Sequence, residues 1–143
     1  MSRNSFKPAW WLFNRHLQTW ASKCRPSAKL LLVRERVELP DGDFIDLDWV
    51  NKEAKGPMIL SLHGLEGSVQ SSYIMGMLNS ISRHGWRGVA MNFRGCSGES
   101  NRMPCLYHSG ETKDLEYIVT LLRKREPYVF LVAVGFCLGV MFY

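Results

Sequence analysis

The sequence predicts an α/β fold built on a largely parallel sheet, and three observations carry that prediction. Residues 58–134 alternate short apolar runs with two amphipathic stretches. This strand, helix, strand, helix, strand order is that of a parallel sheet with right-handed crossovers. A hairpin pattern precedes it. The most apolar run, 128–134, leads into Gly135-Phe136-Cys137-Leu138-Gly139, in which small residues flank a nucleophilic side chain, as a tight strand-to-helix turn requires.

Residues 30–39 read as a strand and Pro40-Asp41-Gly42-Asp43 as a turn, because proline fixes φ and glycine accepts positive φ. Residues 44–50 are the antiparallel partner. There Ile45, Leu47 and Trp49 alternate with Phe44, Asp46, Asp48 and Val50, so one face of the hairpin is expected to be apolar. After the polar connector 52–56, residues 58–62 form a short buried strand that ends in His63-Gly64. Spacing predicts a helix over 71–84, with Ile74, Met77, Leu78 and Ile81 on one stripe and Gly85 at its C-terminal cap. The unit repeats as a strand at 88–93, a loop at 94–110 and a helix at 111–126. Leu115, Ile118, Val119 and Leu122 form that helix's buried stripe, and Arg123, Lys124 and Arg125 complement its C-terminal dipole. Pro127 ends it before the last strand, 128–134.

The 143 residues suffice for one domain, which would bury about 70% of the surface of its unfolded chain. No apolar run approaches the roughly 20 residues that span a bilayer. Trp10 to Phe13 is too short for the apolar region of a secretory signal, so cytoplasmic residence and reduced thiols are expected. Charge is lopsided: residues 1–36 hold eight Lys/Arg against Glu35 alone, whereas the other 107 hold ten basic and twelve acidic side chains. The basic stretch is interleaved with Phe6, Trp10, Trp11, Phe13 and Trp20. It reads as an arm, 1–29, that packs on a domain spanning 30–143 and leaves its charges in water. Nucleic acid is not expected as a partner; peripheral contact with an anionic membrane stays open. Cys24, Cys96, Cys105 and Cys137 show no Cys-x-x-Cys spacing, so no metal site is expected.

In such a sheet, ligands bind beyond the carboxyl ends of the strands. Three segments meet there: 63–67, 94–110 and the turn around Cys137. Cys137 is the candidate nucleophile, and a buried structural cysteine is the alternative. The turn motif assigns the backbone N–H groups of Leu138 and Leu65 as oxyanion donors. His63, Gly64 and His108 are placed at the cleft rim, the alternative for a lone histidine being a satisfied structural hydrogen bond.

One family carries this order with the residues between. Phe6-Lys7-Pro8, Asn14-Arg15-His16-Leu17-Gln18-Thr19, Glu38-Leu39-Pro40-Asp41-Gly42-Asp43, His63-Gly64-Leu65-Glu66-Gly67, Asn92-Phe93-Arg94-Gly95-Cys96-Ser97-Gly98 and Tyr107-His108-Ser109-Gly110 resemble the YheT-like hydrolases of the α/β-hydrolase superfamily, relatives of abhydrolase-domain proteins 1 and 3. The resemblance runs from about residue 6 to residue 139 and implies the N-terminal half of that fold: an antiparallel hairpin leading into a parallel sheet with flanking helices. It implies an esterase or lipase-like enzyme acting on small carboxylic esters or acyl groups, without cofactor. The family's elbow resembles Gly-Phe-Ser-Leu-Gly-Gly-Asn; here Cys137 replaces the serine and Val140-Met141 replaces Gly-Asn. The acid and histidine follow the nucleophile in such enzymes, and Val140, Met141, Phe142 and Tyr143 supply neither. The expectation is therefore a chain truncated just after the elbow and inactive by itself, with self-association or chaperone binding along the strand 128–134. The alternative is a non-catalytic binding module that keeps the cleft.

Overall fold

The computed structural model describes residues 30–65, 67–103 and 112–136. Strands β1 (Val33–Glu38), β2 (Phe44–Val50), β3 (Met58–Leu62), β4 (Arg87–Asn92) and β5 (Leu131–Gly135) alternate, from β3 onward, with helices α1 (Ser72–Arg83) and α2 (Lys113–Arg125). They form one sheet in the order β1-β2-β4-β3-β5. The first two pairings, β1/β2 and β2/β4, are antiparallel; β4/β3 and β3/β5 are parallel. The helices cover opposite faces. Met58, Leu60 and Leu62 of β3 and Val89 and Met91 of β4 meet Leu115, Ile118 and Leu122 of α2, whereas Ile59 and Ala90 meet Ile74, Leu78 and Ile81 of α1. Period-two alternation in the strands thus feeds two cores, as a doubly covered sheet demands.

The α1 stripe follows the predicted spacing, except that Met75 is buried while Met77 is only partly so. The helix ends as a Schellman motif: Trp86 N–H donates to Ile81 C=O at 3.2 Å and Gly85 N–H to Ser82 C=O at 3.0 Å, with Gly85 at φ +69°. Gly88 opens β4 to this helix, since a Cβ there would stand 2.8 Å from Val50 and 3.1 Å from both Ile81 and Leu78.

Two sequence expectations are refined. The hairpin has its apolar face, but its other face is also covered: Asp46 and Asp48 are only 1% and 3% exposed. Each lies directly opposite an arginine in the β1/β2 register and accepts a two-point bond from it, Arg36 to Asp46 at 2.7 and 2.8 Å and Arg34 to Asp48 at 2.9 and 3.0 Å. Arg34 also donates to Ser97 C=O, and Arg36 to Glu99, so the segment after β4 lies over this ion-pair layer. Alternation in sequence marks two chemically different faces; it does not say that the polar one is wet.

The last strand starts three residues later than its apolar run. Val129 N–H turns back to Glu126 C=O, and Phe130 C=O accepts from Met58 N–H just ahead of the β3/β5 ladder. Tyr128 is fully exposed and Phe130 is 73% exposed, outside the pleated surface that would bury them. Among the described residues β5 has one hydrogen-bonded neighbour, β3, and all five of its residues are half-buried.

Candidate active site

Parallel register sets the carboxyl ends of β3, β4 and β5 side by side, with Leu62 opposite Met91 on one flank and Gly135 on the other. The chain leaves these ends as 63–67, 93–103 and Phe136. Phe136 N–H donates to Leu62 C=O at 3.1 Å, which carries the β3/β5 contact one residue beyond the strand.

His63 ties the first two ends together. It is buried; its Nε2 accepts from Phe93 N–H at 3.2 Å and its Nδ1 lies 2.8 Å from Gly64 C=O. A neutral imidazole with hydrogen on Nδ1 satisfies both bonds. Burial pushes its pKa below the ordinary histidine value, against the opposing pull of the Gly64 carbonyl. The Phe93 ring meets the imidazole edge-on, centroids 4.9 Å apart. Placed so, His63 ties the ends of β3 and β4 together, with both ring nitrogens bonded to backbone.

Gly64 to Gly67 is a tight turn, closed by Gly67 N–H donating to Gly64 C=O at 3.0 Å. Gly64 N–H donates to the Tyr73 hydroxyl at 3.0 Å. Leu65, at the second turn position, has its N–H outside the turn's own bond, and its side chain is 63% exposed. Gly67 has no room for a side chain: a Cβ would lie 2.7 Å from the Tyr73 hydroxyl and 2.9 Å from Gly64 C=O. Just past the turn, Val69 N–H donates to Asn92 Oδ1 at 3.0 Å, while Asn92 Nδ2 reaches Asp48 at 2.7 Å and Asp46 C=O at 3.1 Å. Asn92 is fully buried, and its three bonds join β2, β4 and the post-turn segment.

The segment after β4 is fixed by the hairpin turn. Arg94 makes a two-point bond to Asp114 of α2, both at 2.7 Å, and also reaches Asp41 at 2.6 Å and Asp43 at 3.2 Å. Asp43, fully buried, accepts from Phe44 N–H, Asn101 Nδ2 and Arg102 N–H. Burial alone would raise its pKa, but the bonds from Asn101, Phe44 and Arg102 and the Arg94 charge hold it below the usual carboxylate range. Asn101 in turn accepts from Gly95 N–H. The Pro-Asp-Gly-Asp turn is thus a clamp for the 94–103 segment, a role that its reading as a bare turn misses.

Cys137, Leu138 and His108 lie outside the described residues. Leu65, His63 and Gly64 are brought together at the end of β3, beside Phe136, the residue that precedes Cys137. Asn92, Arg94 and Asp43 belong to the segments that carry the family resemblance, which gives them no individual role, and Tyr73 lies outside those segments; their partnerships have no local signal in the sequence. Among the described residues no group of three or more His, Cys, Asp or Glu is arranged to hold a metal ion.

The profile of the alpha/beta hydrolase fold family matches residues 57–142, from the start of β3 through the Gly-x-Cys-x-Gly segment. The chain belongs to the α/β-hydrolase family. As such it is 42% identical over 142 residues to YheT of Escherichia coli (strain K12), a candidate esterase by name, covering 96% of this chain and 42% of that protein. It is 30% identical over 146 residues to phospholipase ABHD3 of Bos taurus, covering 96% of this chain and 36% of the relative. The α/β-hydrolase chain therefore spans less than half the length of these relatives. The Pyrococcus furiosus esterase Pf2001 shares the fold, with a TM-score of 0.63 at 17% identity over 79% of this chain and 44% of that one.

The buried imidazole makes this corner pH-sensitive. In the folded state the His63 pKa is lowered, so the unfolded chain binds its proton first and stability falls as pH drops below about 6.5. Urea unfolding between pH 7.5 and 5 should show this loss, with a slope of up to about 1.4 kcal/mol per pH unit from the one site. A His63→Gln variant should lack that component. Equal slopes in the two proteins would show that His63 is not held neutral.

Proposed function

We propose that this α/β-hydrolase chain carries the nucleophile side of an ester-hydrolase site, with Cys137 in the nucleophile position and the backbone N–H groups of Leu65 and Leu138 as oxyanion donors. Gly64 and His108 would form the cleft rim, with His63 beneath it, and the substrate would be a small carboxylic ester or acyl compound. Division into an arm, 1–29, and a partial hydrolase domain, 30–143, accompanies this reading, as does a cytoplasmic setting in which the thiols stay reduced. The observation that carries it is the convergence of three strand ends, where the 64–67 turn leaves Leu65 N–H outside its own hydrogen bond and adjoins Phe136. The names of YheT and phospholipase ABHD3 point to the same ester chemistry.

In this chemistry the thiolate adds to the ester carbonyl, forming a C–S bond and moving an electron pair onto the carbonyl oxygen, where the two N–H groups stabilise it. Collapse expels the alkoxide, which must take up a proton, and leaves a thioester for water to cleave. Both the protonation and the water attack call for a general base and acid. His63 is unsuited, because its acceptor nitrogen is held by Phe93 N–H. Residues 138–143 of the sequence contain no His, Asp or Glu.

The 143-residue polypeptide assayed by itself is thus expected to hydrolyse activated short-chain esters no faster than a Cys137→Ala control, since losing triad function removes a factor of about 10⁴ to 10⁶ in rate. Turnover abolished by that substitution alone would contradict this and make His108 the base to test.

The half-buried β5 carries a second expectation. Leu131, Val132, Ala133 and Val134 have one strand neighbour among the described residues, and an open apolar edge is a template for association. The polypeptide should self-associate or stay chaperone-bound when expressed by itself. A monodisperse monomer by light scattering, melting cooperatively above about 55 °C, would contradict this.

A further inference from the structure

One side chain touches both the 64–67 turn and the end of β5, and it belongs to neither the His-Gly nor the Gly-x-Cys-x-Gly motif. Tyr73, in the first turn of α1, accepts a hydrogen bond from Gly64 N–H at 3.0 Å through its hydroxyl. Its ring lies 4.9 Å, centroid to centroid, from that of Phe136. Phe136 is itself fixed, since its N–H donates to Leu62 C=O. Gly67 closes the arrangement, for any Cβ there would stand 2.7 Å from the Tyr73 hydroxyl.

These contacts sort the amides of the turn. Gly64 N–H goes to Tyr73 and Gly67 N–H to Gly64 C=O, which leaves Leu65 N–H outside both bonds. An oxyanion donor works only if it is aimed before the charge develops, and small misplacements are expensive. We propose that Tyr73 is the positioning residue of the candidate oxyanion turn: its hydroxyl pins the turn through Gly64, and its ring registers that turn against the residue preceding Cys137. The proposal rests on the ester-hydrolase reading of the site.

The test uses the thiol itself, because donors placed for an oxyanion also favour a thiolate and so lower the pH at which it reacts. Iodoacetamide labelling of Cys137 is followed against pH by mass spectrometry, with Cys96 of the same molecules as reference and urea unfolding as a check on folding. Leu65→Pro removes the proposed donor at a turn position where proline is favoured. Tyr73→Phe keeps the ring and deletes only the hydroxyl. Both variants should move the midpoint of Cys137 labelling upward, Tyr73→Phe by about half a pH unit, or roughly threefold slower labelling near neutral pH. A purely structural tyrosine would lower stability without moving that midpoint. A shift with Leu65→Pro but none with Tyr73→Phe overturns the role of Tyr73 and leaves the hydrolase reading standing. No shift with Leu65→Pro removes the oxyanion turn, and the role of Tyr73 with it. Should Tyr73→Phe fail to fold, Phe136→Leu, which removes the ring contact and keeps an apolar side chain against the core on the α1 side, must shift the midpoint in the same direction for the proposal to hold.

Discussion

The tie that the rest of the carboxyl edge depends on is Arg94. One guanidinium joins the hairpin turn, through Asp41 and Asp43, to the first turn of α2, through Asp114. The Arg94 side chain is largely buried, as are those of Asp43 and Asp114. Breaking a buried ion pair by removing one partner typically costs about 3 to 5 kcal/mol, because a charge is left without compensation. The planar fork suits this place as a lysine would not, since it meets Asp114 with two parallel bonds and still has an N–H for the hairpin. With the 94–103 segment fixed, its Ser97 and Glu99 can lie over the Arg34 and Arg36 pairs, which would otherwise meet open water.

The two residues before Arg94 extend the same logic. Asn92 binds β2 and the segment after the 64–67 turn; Phe93 N–H holds His63. Three successive residues at the end of one central strand thus reach the hairpin, the segment ahead of α1, the first turn of α2 and the neighbouring strand end. The candidate site sits on a polar frame that is buried and satisfied, which is what allows exposed backbone donors to be held in place without regular structure.

Most of the fold was legible in the sequence because its elements are strongly periodic. Leu78 and Ile81, or Leu115, Ile118 and Leu122, announce their helices by spacing alone, and the turn at Gly42 and the cap at Gly85 announce their breaks. The strand 128–134 was misplaced at its start because hydrophobicity does not distinguish Tyr128, fully exposed, from Leu131 in the sheet. The site was legible only where a motif is local. His63-Gly64 and the Gly-x-Cys-x-Gly segment stand out, whereas Asp43 with Arg94, or Gly64 with Tyr73, pair residues whose partnership exists only once the chain is folded. Asp46 and Asp48 show the same limit: alternation sets them on the face opposite Ile45, Leu47 and Trp49 but does not show that they form a buried ion-pair layer whose arginines lie in register on β1.

The central claim, that buried side-chain ties hold the segments leaving the carboxyl edge, is tested most directly by backbone hydrogen exchange in an Arg94→Lys variant. This substitution keeps the charge and removes the fork. The account predicts faster exchange at Gly95 and Arg102 and across the 40–44 turn, with the ladder amides of β3 and β4 unchanged. Exchange at Gly95 and Arg102 equal to that of the parent chain would contradict it, and the frame around the candidate site would then have to be held by something other than Arg94.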